Sequence, residues 1–415
     1  MGHLRAPEDL AGETERPVSD RSLVPSKALR IGSVLVIILI AAFLTAQTPP
    51  LGPRFTGTHW LFTYEFGFIK RGLAGTLLSP VFSLESFQDL VTLSLVVSVI
   101  TFTAFVSWIF SPVWRAGLPP YLCLWLILAL LHSGSLQNFG FDLLRFDQLI
   151  LWILFAVLAV TARAGPHMST AAVGVLGGVS LLIHEAALFT AVPVMLGALL
   201  VRISMTSPGS GRKRVVGLGV LFTGLTWLIG VFGRLPMTSE EYFAHLQARV
   251  QFDVEPLSVA VLTRSLGENV EMALDHLTLG IVWEGHLLLA VLMLPTAIVV
   301  FGLWRDVANR LDPPLPRSIG VLFLAVFGPL ALYGLGHDFF RWWALTTVNA
   351  FVVLSWLCRI RPDCGQVIEQ GIRSRRGWVI TAIVLSILLG PMGVYMGFPA
   401  PIWRTLGATS VSVLQ

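Results

Sequence analysis

Residues 87–111 read FQDLVTLSLVVSVITFTAFVSWIFS, and this stretch decides the class of fold. After Asp89 it contains no charged residue, and it is long enough to cross the hydrocarbon core of a bilayer as an α-helix. Similar apolar runs recur along the 415 residues, of which 55% are hydrophobic and only 13% charged. Soluble domains do not have this composition. The sequence therefore predicts a polytopic membrane protein.

The apolar segments predict an all-α transmembrane bundle of about eleven helices. The predicted spans are residues 31–47, 87–111, 118–134, 148–163, 169–183, 186–201, 215–232, 286–304, 318–336, 342–358 and 377–397. A tight turn at His184-Glu185 is predicted inside 169–201, because that stretch is too long for one helix. Residues 1–30 are rich in charged residues, Pro and Ser, which is typical of a disordered tail. Residues 31–415 are predicted to form a single transmembrane domain.

The distribution of charge predicts the orientation. With the amino terminus in the cytoplasm, 19 of the 28 Lys and Arg residues lie in the tail and inner connections, in agreement with the positive-inside rule. Topology therefore explains the basic residues, and no nucleic-acid partner is implied. Fifteen of the 24 Asp and Glu residues lie on the outer side, which has two long segments, 48–86 and 233–285. We expect membrane lipids as the surroundings and the inner membrane of a bacterium as the location.

The first outer segment carries a candidate catalytic carboxylate. Glu65 lies among aromatic residues in WLFTYEFGFIKRG, residues 60–72, where partial desolvation would suit it to accept a proton. Lys70 and Arg71 follow, and their charge and hydrogen-bond donors suit a phosphate group. The structural alternative is an ion pair between Glu65 and one of these two cations.

Three further outer connections carry ionisable residues beside apolar helices, where such residues are costly and tend to be functional. They are Asp142, Arg145 and Asp147 in FDLLRFDQLI (residues 141–150), His184 and Glu185 in LLIHEAALF (residues 181–189), and His337, Asp338 and Arg341 in GHDFFRWW (residues 336–343). A helical 142–145 segment would place Asp142 and Arg145 on one face. Ordinary helix caps, local ion pairs and interfacial Trp residues are the structural alternatives.

These candidates come from four separate connections and all map to the outer side. A catalytic pocket at the membrane surface requires such a grouping. The sequence contains no GxxxxGK[ST], GxSxG or HExxH motif and no GxGxxG between a strand and a helix. An enzyme of the outer face without a nucleotide cradle would need a donor carried by a lipid.

In its helix plan and its acidic first outer segment, the chain resembles the GT-C class of membrane glycosyltransferases. The segments IHE and HDFFRW are also similar to segments of bacterial polysaccharide-assembly membrane proteins. The resemblance implies transfer of a sugar from a polyprenyl-phosphate donor to a glycan, lipid or protein acceptor on the periplasmic or extracellular face. Members of the class often carry Asp or Asp-Glu in that segment, whereas Tyr64 precedes Glu65 here. The catalytic base is therefore left open among Glu65, Asp142 and Asp147.

The same resemblance implies roles for the remaining candidates. Arg71, Arg145 and Arg341 would neutralise the departing lipid phosphate. The sugar or the acceptor would be oriented by His184, Glu185, His337 and Asp338. A divalent cation held by these four is left open, Mn or Zn rather than Mg, and no metal site is assigned. The alternatives are a polysaccharide polymerase acting on lipid-linked repeat units and a lipid or solute transporter or flippase.

Overall fold

The computed structural model describes residues 53–206, 211–311 and 315–393, with a few positions between 31 and 39. All regular structure in this part of the chain is helical, which confirms the all-α prediction. The α-helices are α1 Pro53–His59, α2 Gly72–Leu78, α3 Phe87–Arg115, α4 Pro120–Leu131, α5 Leu136–Phe141, α6 Phe146–Arg163, α7 Pro166–Ile183, α8 Ala187–Thr190, α9 Val192–Thr206, α10 Gly211–Phe232, α11 Ser239–Gln247, α12 Pro256–Ala260, α13 Leu266–Leu277, α14 Gly280–Arg310, α15 Ile319–Val326, α16 Phe339–Ile360, α17 Cys364–Ser374 and α18 Arg376–Leu389. Two 3-10 helices, Tyr64–Phe66 and Gly328–Gly334, complete the elements.

Eight helical segments of the described chain are long and apolar enough to cross a membrane. They are α3, α4 with α5, α6, α7, α8 with α9, α10, most of α14, and α16. In α3, Ser86 caps the first turn and forms a capping box with Asp89, which satisfies backbone donors that would otherwise lack partners. The presence of these helices indicates that the chain is an integral membrane protein.

Three of the eleven predicted spans differ from these eight. Most of 31–47 lies outside the described residues, as does the predicted tail at 1–30. The predicted span 318–336 is not one α-helix, because Gly328 packs against the backbone of Phe189 and the next residue, a proline, cannot donate an α-helical hydrogen bond. The span predicted at 377–397 corresponds to α18, which has only 14 residues. It ends at Leu389, and the next residue, Gly390, has a φ of 73°.

Successive long helices run in opposite directions, so the bundle has two ends. We call one the polar end; it contains residues 59–72, 142–147, 184–185, 233–279 and 337–341. Contacts join these segments, as where the Lys70 backbone N–H donates to the Gly233 carbonyl at 3.0 Å. The basic end contains the last turns of α3, α6, α9, α14 and α16. There Arg375 pairs with Asp306 at 2.6 Å.

The two long segments of the polar end fold against each other. Trp60 and Phe62 of the first segment share an apolar core with Tyr242 and Leu246 of the second. Within the first segment, α2 packs closely on the chain at Phe62, because a Cβ atom on Gly75 would lie 2.2 Å from the Phe62 carbonyl oxygen. This core holds the candidate residues that follow Phe62 in a fixed position above the helices.

Helix α16 lies at the centre of the bundle. In the most apolar 18-residue stretch of each helix, 78% of the residues of α16 are buried inside the protein, compared with 11% of those of α10. The indole of Trp108 in α3 donates to the Val352 carbonyl of α16 at 3.0 Å, which fixes two helices at mid-length. Because α16 begins at residue 339, its first turn delivers Arg341 to the polar end in a rigid setting.

Candidate functional site

Five ionisable side chains at the polar end form one connected network, which we call the Asp-Arg cluster: Asp142, Arg145, Asp147, Asp338 and Arg341. Arg341 binds Asp147 through Nε and Nη2, at 2.5 and 2.9 Å, and its Nη1 lies 2.6 Å from Asp338. Arg145 lies 2.8 Å from Asp142 and 3.5 Å from Asp338. Asp338 therefore links both guanidinium groups. The structure joins two of the predicted connections in one network.

The Asp142–Arg145 pair forms, but the predicted helical geometry is wrong. Asp142 ends α5 and Arg145 precedes α6, and between them Leu144 has a φ of 60°. A second non-glycine residue of the site, Arg71, has a φ of 64°. Leucine and arginine rarely adopt this left-handed conformation, and such backbone strain tends to occur at functional sites. The turn, rather than a helix face, brings Asp142 and Arg145 together.

The three carboxylates of the cluster are not equivalent. Burial raises the pKa of Asp142, and its one guanidinium contact, with Arg145, does not reverse the shift. Burial acts in the same direction on Asp338, yet Arg145 and Arg341 together hold the pKa of Asp338 well below its usual range. Asp147 receives two hydrogen bonds from Arg341. Asp142 is therefore the carboxylate of the cluster best suited to take up a proton.

A second ion pair closes the polar end beside the cluster. Arg71 binds the Glu185 carboxylate, with Nη2 at 2.6 Å and Nε at 3.1 Å. The turn predicted at His184-Glu185 is confirmed, since α7 ends at Ile183 and α8 begins at Ala187. His184 Nδ1 accepts a hydrogen bond from the Ala186 backbone at 3.2 Å. Burial lowers the pKa of His184, so its ring is neutral. The 3.4 Å approach of His184 Nδ1 to Glu185 Oε2 is therefore not a salt bridge.

His59 is a site residue that the sequence analysis missed. It ends α1 with 6% of its surface exposed, among Phe55, Phe62 and Phe146. Burial lowers the pKa of His59 well below its ordinary value, and the nearby positive charges of Arg71 and Arg145 add to this effect. Its Nε2 has no hydrogen-bond partner in the described structure. The signal available in the sequence was its position directly before the aromatic run that starts at Trp60.

Positive charge is in excess around this site. Lys70 donates to the Arg264 carbonyl at 3.4 Å. Burial lowers the pKa of Lys70, and Arg71, Arg234 and Arg264 lower it further, against the single opposing effect of Glu185. Within the described ranges, no carboxylate forms an ion pair with Lys70, Arg234 or Arg264. An anion bound here would relieve this repulsion.

The structure does not bring Glu65 into the Asp-Arg cluster. Its carboxylate lies 2.7 Å from Arg249 and 3.6 Å from His245, and 48% of its side chain is exposed. The predicted desolvation is therefore wrong for Glu65, and so is the alternative pairing with Lys70 or Arg71. Phe66, which follows it directly, packs on Tyr242 of the shared core, whereas the Glu65 carboxylate stays at the rim.

His337 lies at the mouth of the site. Its ring stacks on that of His276 with centroids 4.6 Å apart. Burial lowers the pKa of His337, against the effect of Asp338. Among the described residues, no three His, Cys, Asp or Glu side chains are arranged to hold a metal ion. The four residues considered for a cation, His184, Glu185, His337 and Asp338, do not form such a group.

The geometry defines a buried, ion-paired group of polar side chains at one end of a membrane helix bundle, and we refer to this group as the pocket. Comparison of the chain with models of known protein families, with curated proteins and with solved structures finds no match. A function for the chain must therefore be argued from the chemistry of this pocket.

Proposed function

We propose that the protein is a membrane glycosyltransferase of the GT-C type, which moves a sugar from a polyprenyl-phosphate donor to a glycan, lipid or protein acceptor. The observation that carries the proposal is the combination of a protonatable buried carboxylate, Asp142, with an excess of positive charge around Lys70. Sugar transfer from a lipid phosphate needs a base for the acceptor hydroxyl and cations for the departing phosphate. The pocket supplies both within one group of contacting segments.

In this proposal Asp142 is the base. It takes the proton of the acceptor hydroxyl while that oxygen forms a bond to the anomeric carbon of the donor. The bond from the anomeric carbon to the phosphate oxygen breaks, and both electrons leave with the phosphate. A direct displacement of this kind inverts the anomeric centre.

Arg145 connects donor binding to the base. Among the described residues it is the only cation that forms an ion pair with Asp142, and its second contact, to Asp338, is long at 3.5 Å. The donor phosphate is a diester with one negative charge, which can accept two parallel hydrogen bonds from this guanidinium, and its charge grows as the bond to the anomeric carbon breaks. When Arg145 turns towards the phosphate, Asp142 is released as a free base. Arg341 stays in place because three short hydrogen bonds hold it.

In the proposal, Lys70 and Arg71 bind the departing phosphate. Arg234 and Arg264, whose charges also act on Lys70, add to the positive potential there. Arg71 keeps Glu185 as its partner, which holds its guanidinium at the mouth of the pocket. In the proposal, the ring of neutral His59 turns so that its Nε2, which is buried and has no hydrogen-bond partner among the described residues, makes a hydrogen bond to the sugar. A neutral imidazole suits this role because it adds no charge that would hold the leaving group after transfer.

The proposed setting is the periplasmic or extracellular face of a bacterial inner membrane. A crossing at 31–47, the broken segment 318–336 and α18 would bring the helix number to about eleven. The basic end then faces the cytoplasm, in keeping with the positive-inside rule. Since the paired charges of the pocket lie at helix ends, they support a reaction at the membrane surface better than a path across the bilayer.

A labelling experiment tests this orientation. Thr263 is exposed at the polar end and Gln366 is exposed on α17 at the basic end. We expect Thr263→Cys to react with a membrane-impermeant maleimide on intact cells, and Gln366→Cys to react only after permeabilisation. The wild-type chain is the control, because Cys358 and Cys364 are buried and Cys123 is half-buried. The reverse pattern would place the pocket in the cytoplasm and rule out the proposed setting.

A transfer assay tests the reaction itself. Purified protein in proteoliposomes receives a polyprenyl-phosphate donor with a radiolabelled sugar, together with a bacterial envelope extract as acceptor. We expect label in a new product and release of free polyprenyl phosphate. A polymerase would instead lengthen lipid-linked chains, and a flippase would move the donor across the bilayer with its anomeric bond intact. Either result would replace the proposed function.

A further inference from the structure

A recess opens at the polar end beside the Asp-Arg cluster. It has a volume of about 310 Å³, and its walls come from the segment after α1, the chain after α2, and the end of α11. This volume is at the lower end of the roughly 300–1,000 Å³ range of small-molecule pockets. We call it the Trp60 cavity, because Trp60 belongs to both the cavity wall and the core that supports the cluster.

The walls of the Trp60 cavity combine aromatic and polar groups. Trp60 and Phe82 provide aromatic surface, Thr63 and Ser83 provide hydroxyls, and the charged groups are Glu85 and Arg249. A sugar ring has apolar C–H patches that pack on aromatic side chains and hydroxyls that both donate and accept hydrogen bonds. A lipid tail would leave the hydroxyls and charges of this wall without partners, at a cost in free energy.

The polar groups of the cavity are available for a ligand. Glu85 is exposed, and within the described part of the chain its carboxylate accepts one hydrogen bond, from the Ser83 hydroxyl at 2.7 Å. Arg249 pairs with Glu65 at 2.7 Å, and about half of each side chain is exposed. Exposed ion pairs of this kind contribute little to stability, so a hydroxyl of a ligand can replace one partner. This gives Glu65 a place beside a binding site rather than at the reacting atoms.

The cavity is connected to the cluster through one side chain. The indole N–H of Trp60 donates to the Leu144 carbonyl at 2.8 Å, and Leu144 lies directly before Arg145. Trp60 also packs edge-to-face on Phe146, with ring centroids 5.4 Å apart. A group held in the cavity is therefore one indole ring away from the segment that carries Asp142 and Arg145.

We propose that the Trp60 cavity binds a neutral saccharide unit, adjacent to the unit that reacts, and that this unit belongs to the acceptor. The assignment to the acceptor rests on the proposed transferase function, whereas saccharide binding itself does not. The cavity would hold the acceptor chain while its terminal hydroxyl reaches Asp142. Aromatic contact with Trp60 and Phe82 and hydrogen bonds to Glu85 and Arg249 would set the preference for one sugar.

The test measures saccharide binding directly. The protein is placed in lipid nanodiscs, which avoid detergents with sugar head groups, and is titrated with the methyl glycosides of glucose, galactose, mannose and N-acetylglucosamine. Binding is followed by saturation-transfer difference NMR. We expect at least one glycoside to bind. We expect Ser83→Trp, which fills the cavity, to weaken its binding by at least about tenfold, or one unit of log Kd.

Two further variants keep the test decisive. Thr263→Trp places the same side chain on an exposed site outside the cavity and should bind the glycoside like the wild type. Glu85→Gln removes a charge without filling space and should weaken binding by roughly fivefold, because a neutral amide oxygen replaces the charged acceptor of one hydrogen bond. Absence of binding for all four glycosides, or equal binding by Ser83→Trp and the wild type, overturns the proposal.

The outcome is independent of the transfer assay. If glycoside binding follows this pattern but no sugar transfer occurs, the cavity stands and the transferase function fails. If transfer occurs and Ser83→Trp leaves the KM for the acceptor unchanged, the transferase function stands and the cavity is not the acceptor site. If Ser83→Trp raises the KM for the acceptor with little change in kcat, the result supports both the transferase function and the cavity as the acceptor site.

Discussion

Replacement of Arg341 by Met destabilises the folded protein by about 3–5 kcal/mol, the range found when one partner of a buried ion pair is removed. Arg341 is 3% exposed and makes three short hydrogen bonds to Asp147 and Asp338. Without it, the buried Asp147 carboxylate loses both of its hydrogen-bond donors. Thermal unfolding of the purified protein and its amount in the membrane measure the loss.

A second substitution separates the structural effect from the chemical one. In the double variant Arg341→Met with Asp147→Asn, the buried negative charge is also removed, and Asp338 keeps its contact with Arg145. We expect stability to return most of the way to that of the wild type. We expect both Arg341→Met and the double variant to lack sugar transfer, because the guanidinium that fixes the position of the cluster is absent from both.

An ion pair at the opposite end of the bundle provides the control. Arg375 binds Asp306 at 2.6 Å, and Arg310 lies 3.2 Å from the same carboxylate. In Arg375→Met, Asp306 therefore keeps a cationic partner, so we expect a smaller loss of stability and unchanged transfer. Wild-type stability for Arg341→Met would contradict the network, and a loss of transfer in Arg375→Met would contradict the location of the site.

Much of the fold follows from the sequence because apolar length is a strong signal. The stretch that became α3 contains no charge between Asp89 and Arg115, and only a helix satisfies its backbone in a membrane. The helix count was harder to predict, since hydropathy does not report how a segment packs. The break after α15 depends on the contact between Gly328 and the Phe189 backbone, and no local pattern encodes that contact.

Several residues singled out in the sequence lie in contact, but most of their pairing was not predicted. Arg341 was expected near Asp338 because both lie in one short connection, and this i,i+3 pair forms. Its stronger bond to Asp147 joins residues 194 positions apart, and only the tertiary fold sets this contact. Glu65 stood out in the sequence because of its aromatic neighbours, yet those neighbours pack into the core and leave it at the rim. His59 was missed because nothing in α1 indicates that the chain buries it.

Replacement of Asp142 by Asn is expected to lower kcat for sugar transfer by about 10²- to 10⁴-fold, the typical contribution of a general base. The two side chains have nearly the same shape, so the packing of Asp142, which is 4% exposed, is preserved. Measurement of the transfer rate at saturating donor and acceptor gives the effect directly. The amount of protein in the membrane should not change.

The pH dependence identifies the group that is responsible. The base acts in its ionised form, so the wild-type rate should rise with pH until Asp142 is ionised and then level off. Burial raises the pKa of Asp142 above the ordinary value of 3.8, which places this acid limb above the pH at which an exposed aspartate would titrate. The residual rate of Asp142→Asn should lack this limb. A limb that persists in the variant would assign the titration to another residue.

Stability gives an independent check with a definite sign. A carboxyl group whose pKa is raised by folding binds more protons in the folded than in the unfolded state, so the contribution of Asp142 to wild-type stability falls as pH rises from 3.8 through its raised pKa. Asn cannot ionise, so this part of the pH dependence should be absent from Asp142→Asn. At neutral pH the variant should then be at least as stable as the wild type, whereas Asp147→Asn should be less stable because Arg341 loses a partner. A variant that is inactive but no less stable would identify Asp142 as a group kept in the buried cluster for its chemistry rather than for folding.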